Sequence, residues 1–218
     1  MIDADTNAAV RNNADWCAAV LRSHGLGYTF EPRAWRSAGP TPPYYPEAIT
    51  LRPGATVADV LPAKAVKDSF ATLDLAPHGY TELFAAEWIH RPATPATGDA
   101  ERVTTADALA EWQRAWHGRD DEPPDVFRPA LLADPSVSIM AVRDGGALIG
   151  GFAFNRTGAV AGVSNLFAAV PAGLPRVWAA TACGVPLVGY ETGADLDHAR
   201  AAGFRTAGPL RVWLRLES

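Results

Sequence analysis

Tyr190 and Glu191 close a short apolar run, GVPLVGYE (184–191), and His198 follows seven residues after Glu191. A phenol, a carboxyl and an imidazole are groups that move protons, and the end of a buried strand is a usual place for them to meet a ligand. Each also has a plainer reading: a half-buried tyrosine, a solvated glutamate and a histidine on a helix surface. Upstream, SNLFAAVPAGLPRVW (164–178) reads as strand, turn and helix. Turns of that kind can cradle a phosphate on backbone N–H groups and a helix N-terminus. Gly173 and Arg176 are the residues in it suited to an anion. Arg176 stands near the helix start, where a cation is unfavourable unless an anion neutralises it; otherwise it is a solvated arginine. Pro175 removes one donor.

Composition limits the partners. The chain has 218 residues, a net charge of −5 and 48 % hydrophobic residues, as expected of one large globular domain or two small ones. Two of its 19 basic residues are lysines, Lys64 and Lys67. Without a basic patch, neither nucleic acid nor an anionic membrane is the expected partner. Cys17 and Cys183 are far apart and lack ligand spacing, so neither a metal site nor a disulfide framework is expected. The polar, acidic N-terminus reads as no signal peptide, and no apolar run is long enough to span a membrane. The expected location is the cytoplasm.

The elements that position these residues follow from periodicity. Val10, Trp16, Val20 and Leu21 fall near one helical face, and Gly25 stops that helix. Pro42, Pro43 and Pro46 make residues 39–47 an extended connector, and Tyr44 and Tyr45 inside it could line a pocket. A short strand at 48–51 and a short helix capped by Thr56 follow. VKDSFATLDL (66–75) and YTELFAAEWI (80–89) read as strands. Thr105 caps a helix that carries Leu109, Trp112 and Trp116 on one face, and Gly118 ends it. The acidic loop 118–125, with Asp120, Asp121 and Glu122, could attract a cationic amine. DVFRPALLADP (125–135) reads as a short helix. Residues 136–168 then read as three antiparallel strands joined by tight turns at Asp144-Gly145-Gly146 and Thr157-Gly158. A helix at 194–202 ends at Gly203. The tail turns at Gly208-Pro209, which allows a final hairpin.

From residue 80 the order is β-α-α-β-β-β-α-β-α-β, an α/β (α+β) arrangement of mixed strand direction. This order resembles the GNAT (Gcn5-related N-acetyltransferase) superfamily. MAVRDGGALIGGFAF is similar to that family's second and third strands, GVSNLFAAV to its fourth, and LDHARAAGFRTAGPLRVWL to its last helix, the Gly-Phe after it and the closing strand. The resemblance implies a mostly antiparallel sheet with two splayed central strands, flanked by helices. It divides the chain into an N-terminal helix and strand extension over 1–78, or a truncated GNAT-like half, and a GNAT-like domain over 79–218.

The resemblance further implies that the pantetheine arm of acetyl-CoA, or of another acyl-CoA, lies in the split. Leu166, Phe167 and Ala168 of the fourth strand would hold it, with Gly173 and Arg176 at the phosphates. A small-molecule amine would attack the thioester directly, without metal. Tyr190, Glu191 and His198 are the candidate proton carriers. Two departures stand out. The family's Gly-rich phosphate turn is replaced by Pro171-Ala172-Gly173-Leu174-Pro175-Arg176-Val177-Trp178. The tyrosine that the family places four residues before the Gly of Gly-Phe is Ala199. These departures support the alternative of a catalytically silent module that binds a small ligand or a protein, and a different acyl donor is a third reading.

Overall fold

The computed structural model describes residues 3–215. Eleven strands form one sheet. They are β1 (Tyr28–Phe30), β2 (Ala34–Ser37), β3 (Ala48–Thr50), β4 (Ala65–Asp68), β5 (Tyr80–Arg91), β6 (Glu101–Arg102), β7 (Val137–Asp144), β8 (Ala147–Thr157), β9 (Val160–Ala168), β10 (Leu187–Glu191) and β11 (Arg205–Arg215). Their order is β1-β2-β3-β4-β11-β5-β10-β9-β8-β7-β6. The pairs β3/β4 and β9/β10 are parallel, and the other neighbours are antiparallel. Among the described residues there are five α-helices: α1 (Ala4–Ser23), α2 (Val57–Val60), α3 (Ala106–His117), α4 (Leu174–Ala180) and α5 (Gly193–Ala201).

Residues 1–78 and 79–218 meet within this single sheet, because β4 pairs with β11 over Ala65–Asp68. They also share one core. Trp16, Val20 and Leu21 of α1 pack with Leu109 and Trp112 of α3 and with Val137 and Ile139 of β7. The helix is fixed to β8 by a reciprocal pair of buried amides. Asn12 Nδ2 donates to the Asn155 carbonyl, and Asn155 Nδ2 donates to the Asn12 carbonyl, both at 2.9 Å. Gly162 of β9 makes room for that pair, since a Cβ there would collide with both amide side chains.

The structure corrects several expectations. The strand expected over 66–75 ends at Asp68. Its buried carboxylate accepts the N–H of Leu73 at 2.8 Å, and Ala71 takes a φ of +52°, so the chain turns there. A polar side chain that binds nearby backbone competes with the ladder. The helix expected over 125–135 is a 3-10 turn at Pro129–Ala133. The hairpin allowed at Gly208-Pro209 is absent. β11 runs straight through, with a register shift between Thr206 and Gly208 against β5. A bulge is where a ladder tolerates a proline, and Gly208, at φ +148°, supplies the unusual backbone. The strands β1 and β2 and the two-residue β6 lie in stretches whose sequence carries little alternation.

Candidate functional site: the split between β9 and β10

The parallel pair β9/β10 is joined by two register positions, Leu187 with Ala161 and Val188 with Gly162. Gly189 still touches β9, where an added Cβ would come within 2.8 Å of the Val163 carbonyl oxygen. Beyond it the strands part. The edge of β9 from Val163 to Ala168 has no strand partner on the β10 side, and Asn165, with φ +52°, sits in a register irregularity against β8. A cavity of about 250 Å³ opens in the split. β9, β10, α1, the Tyr44-Tyr45 connector and Lys67 of β4 wall it.

Tyr190 and Glu191 both line this cavity. Consecutive strand residues point to opposite faces, and both reach the same space because the sheet is split there. Tyr190 faces α1: its ring packs edge-on against Trp88 at 5.7 Å, and Lys67 Nζ lies 4.0 Å above it. Glu191 also borders a shallower hollow beside Glu87 and Leu196. Burial, helped by the negative charge of Asp195, raises its carboxyl from 4.5 to about 8. A carboxyl held near 8 is a better proton acceptor from an amine than an ordinary glutamate. Cys17 sits in the wall as well, but burial lifts its thiol to about 11, so it stays protonated and is a poor nucleophile at neutral pH.

The other predicted residues fall in different places. Leu166 lines the cavity. Phe167 packs edge-on against Trp112 at 5.1 Å, which leaves its backbone for the cleft. Ala168 packs against the apolar cluster beneath α4. His198 is not brought to the split. It borders a separate hollow between α4 and α5 with Pro175, Trp178 and Ala202. Ala199, where the resemblance would place a tyrosine, is fully buried against that same cluster.

The turn after β9 is poor in free donors. Pro171 and Pro175 have no N–H. The N–H of Ala169 goes to the Ile149 carbonyl, that of Gly173 to Val170 and that of Leu174 to Pro171. α4 has only seven residues, and Gly173 at its N-cap offers no side chain. Arg176 is turned to the β7–β8 hairpin, 3.2 Å from Asp144 Oδ2 and 3.1 Å from the Arg143 carbonyl. The anion that its position calls for is therefore present within the chain. Trp178 is buried, and its ring lies 5.3 Å from Phe204, filling the space between α4 and α5.

Sequence reasoning passed over the polar wall opposite Glu191. Lys67 was visible as one of two lysines, in the short strand stretch AVKD. Asn12 and Asn13 interrupt a helix, where asparagine is disfavoured, and that was the available signal.

The sheet order, its split and the crossing helices α4 and α5 define a class: a mixed sheet that opens between two parallel central strands. Solved structures of the same shape include a GCN5-related N-acetyltransferase from Kribbella flavida, at 15 % identity and a TM-score of 0.60, matched over 96 % of each chain. A putative acetyltransferase of the GNAT family from Novosphingobium aromaticivorans matches at 12 % identity and 0.51, over 92 % of this chain and 97 % of that one. A functionally unknown conserved protein from Staphylococcus epidermidis matches at 8 % and 0.55, over 87 % and 93 %. No family model and no curated protein sequence matches. The chain has the GNAT superfamily fold. Among the described residues, no helix is long and apolar enough to cross a membrane, and no cluster of His, Cys, Asp and Glu is arranged to hold a metal.

Proposed function

We propose that this protein is an acyl-CoA-dependent N-acyltransferase that acts on a small amine in the split between β9 and β10. The observation that carries the reading is the split itself: β9 has no partner on the β10 side from Val163 to Ala168, and Tyr190 and Glu191 line the cavity beside it. Acyl-CoA would supply the acyl group as a thioester. The unpartnered edge of β9, Leu166 to Ala168, fits an extended arm, whereas the turn at Gly173 and Arg176 is a weak phosphate holder. Glu191 takes the proton that the amine loses as its nitrogen bonds to the carbonyl carbon. Tyr190 gives a proton to the departing thiolate as the carbon–sulfur bond breaks, and recovers it through water, to which Glu191 releases the proton it took. Cys17, held as a thiol, forms no acyl intermediate. His198 faces the hollow between α4 and α5 and takes no part in this scheme.

In this reading residues 79–218 carry the transfer, and residues 1–78 extend the sheet and close the acceptor side with α1, Tyr45 and Lys67. The setting is the cytoplasm, where Cys17 and Cys183, free here, stay reduced. The test is thiol release from acetyl-, propionyl- and succinyl-CoA at millimolar concentration with a library of small amines, with products identified by mass. Amine-dependent release that Glu191→Gln removes is expected. Absence of turnover with every pair would sink the enzyme reading and favour a silent ligand-binding module. The donor-poor turn after β9 is the observation that speaks for that second reading.

A further inference from the structure

Lys67 is 4 % exposed and has no carboxylate within 4 Å among the described residues. Its ammonium donates to Asn13 Oδ1 at 2.9 Å and lies over the Tyr190 ring. An ammonium has three donors, so at least one remains for the cavity that it lines. Asn13 accepts from Lys67 through its side-chain oxygen, and its amide N–H groups make no hydrogen bond among the described residues. The buried Tyr45 hydroxyl has no well-formed hydrogen bond either, although Asn165 and Trp16 approach it. The three residues belong to one cavity wall. Their open valences are donors, and a buried charge left unpaired is costly.

We propose that Lys67, Asn13 and Tyr45 form a carboxylate subsite, and that the amine acceptor is an amino-acid-like molecule whose carboxylate binds there while its amino group points to Glu191. This rests on the acyltransferase reading and names its substrate class. A carboxylate satisfies one cation and two neutral donors at once. A phosphate would call for more charge than one lysine supplies. The cavity, about 250 Å³, is below the roughly 300–1,000 Å³ of sites for drug-sized ligands, which suits a single amino acid.

The test uses the full chain without acyl-CoA. Calorimetry compares the common L-amino acids with their decarboxylated amines, alanine with ethylamine and phenylalanine with phenethylamine among them. The wild type is expected to bind at least one amino acid about tenfold or more tightly than its amine, the preference one added charge-assisted bond confers. Lys67→Met should reduce that preference to about twofold or less. Asn13→Asp should do the same while keeping the fold, because it places an internal counter-ion against the lysine; it decides the matter if Lys67→Met does not fold. No preference in the wild type, or a preference that survives both variants, overturns the proposal. So does a Lys67-dependent preference for succinyl-CoA over acetyl-CoA without one among acceptors, since the carboxylate would then belong to the donor. Acetyl-CoA binding is titrated separately. Its absence beside an intact carboxylate preference defeats the acyltransferase reading and leaves the subsite, and the opposite result does the reverse.

Discussion

On the α1 side of the split, Lys67 keeps donors beyond its bond to Asn13, and the Tyr45 hydroxyl has no partner among the described residues, within a wall fixed by the Asn12–Asn155 amide pair. On the α4 side, the N–H groups of Ala169, Gly173 and Leu174 are bonded within the chain, Pro171 and Pro175 have none, Arg176 is paired to Asp144, and Trp178 and Phe204 fill the space between the helices. One side is open and charged; the other is closed on itself. The difference teaches that the two sides of a shared fold can drift apart. One wall can hold open donors while the other closes on itself, because different elements build them.

The largest expected effect is on acyl-CoA affinity. Two missing charge-assisted bonds to the pyrophosphate cost roughly 3–6 kcal/mol, or two to four decades in affinity. Acetyl-CoA should therefore bind in the millimolar range by calorimetry. A micromolar dissociation constant would show that the phosphates lie elsewhere than on the turn at Gly173, and the contrast between the two sides would fail.

Glu191 is next. As general base it should contribute about 10²- to 10⁴-fold, which Glu191→Gln should remove from kcat/KM. The base form exists above about pH 8, so the wild-type rate should climb with pH to a plateau beyond that value. Stability should run the other way. The folded carboxyl holds its proton up to about 8, while the unfolded one releases it near the ordinary 4.5. The native state thus binds more protons between those values, and stability falls as pH rises across that window. Thermal melts of Glu191→Gln should lack that fall. A wild-type melting temperature that stays flat from pH 5 to 9 would contradict a carboxyl raised in this way.

A smaller effect tests the wall itself. Gly162→Ala would press a methyl group into the Asn12 and Asn155 amides. Overpacking together with a broken buried hydrogen bond should cost about 2–4 kcal/mol by urea unfolding. A near-neutral result would mean that α1 is not held to β8 by that pair.

The fold was legible where pattern and turn chemistry agree. The β7–β8–β9 meander, with turns at Gly145-Gly146 and Gly158, and the capped helix at Thr105 are examples. It was less legible where a single side chain overrides pattern, as when Asp68 draws the backbone of Phe70 and Leu73 into a turn. Tyr190 and Glu191 could be picked out because strand ends are predictable. Lys67 could not, since its partners Asn13 and Tyr190 lie 54 and 123 residues away in the chain, and only the β4–β11–β5–β10 order brings them together.

The smallest expected effect concerns Arg176. Its ion pair with Asp144 is about half exposed on the arginine side and more so on the aspartate side, at 49 % and 68 %. Exposed pairs of this kind contribute about 0–1 kcal/mol, so Arg176→Ala should lower stability by no more than that. The same geometry predicts its effect on the donor. To reach a phosphate, the guanidinium would have to leave both Asp144 and the Arg143 carbonyl, and a newly ordered long side chain loses rotamer entropy. The gain from the phosphate is thus largely offset, and acetyl-CoA affinity should change about threefold or less in the variant. The double variant Arg176→Ala with Asp144→Ala should behave like the single one. A drop beyond about tenfold on Arg176→Ala alone would mean that the guanidinium does swing to the phosphates, and that the α4 side is an anion site gated by Asp144 rather than an eroded one.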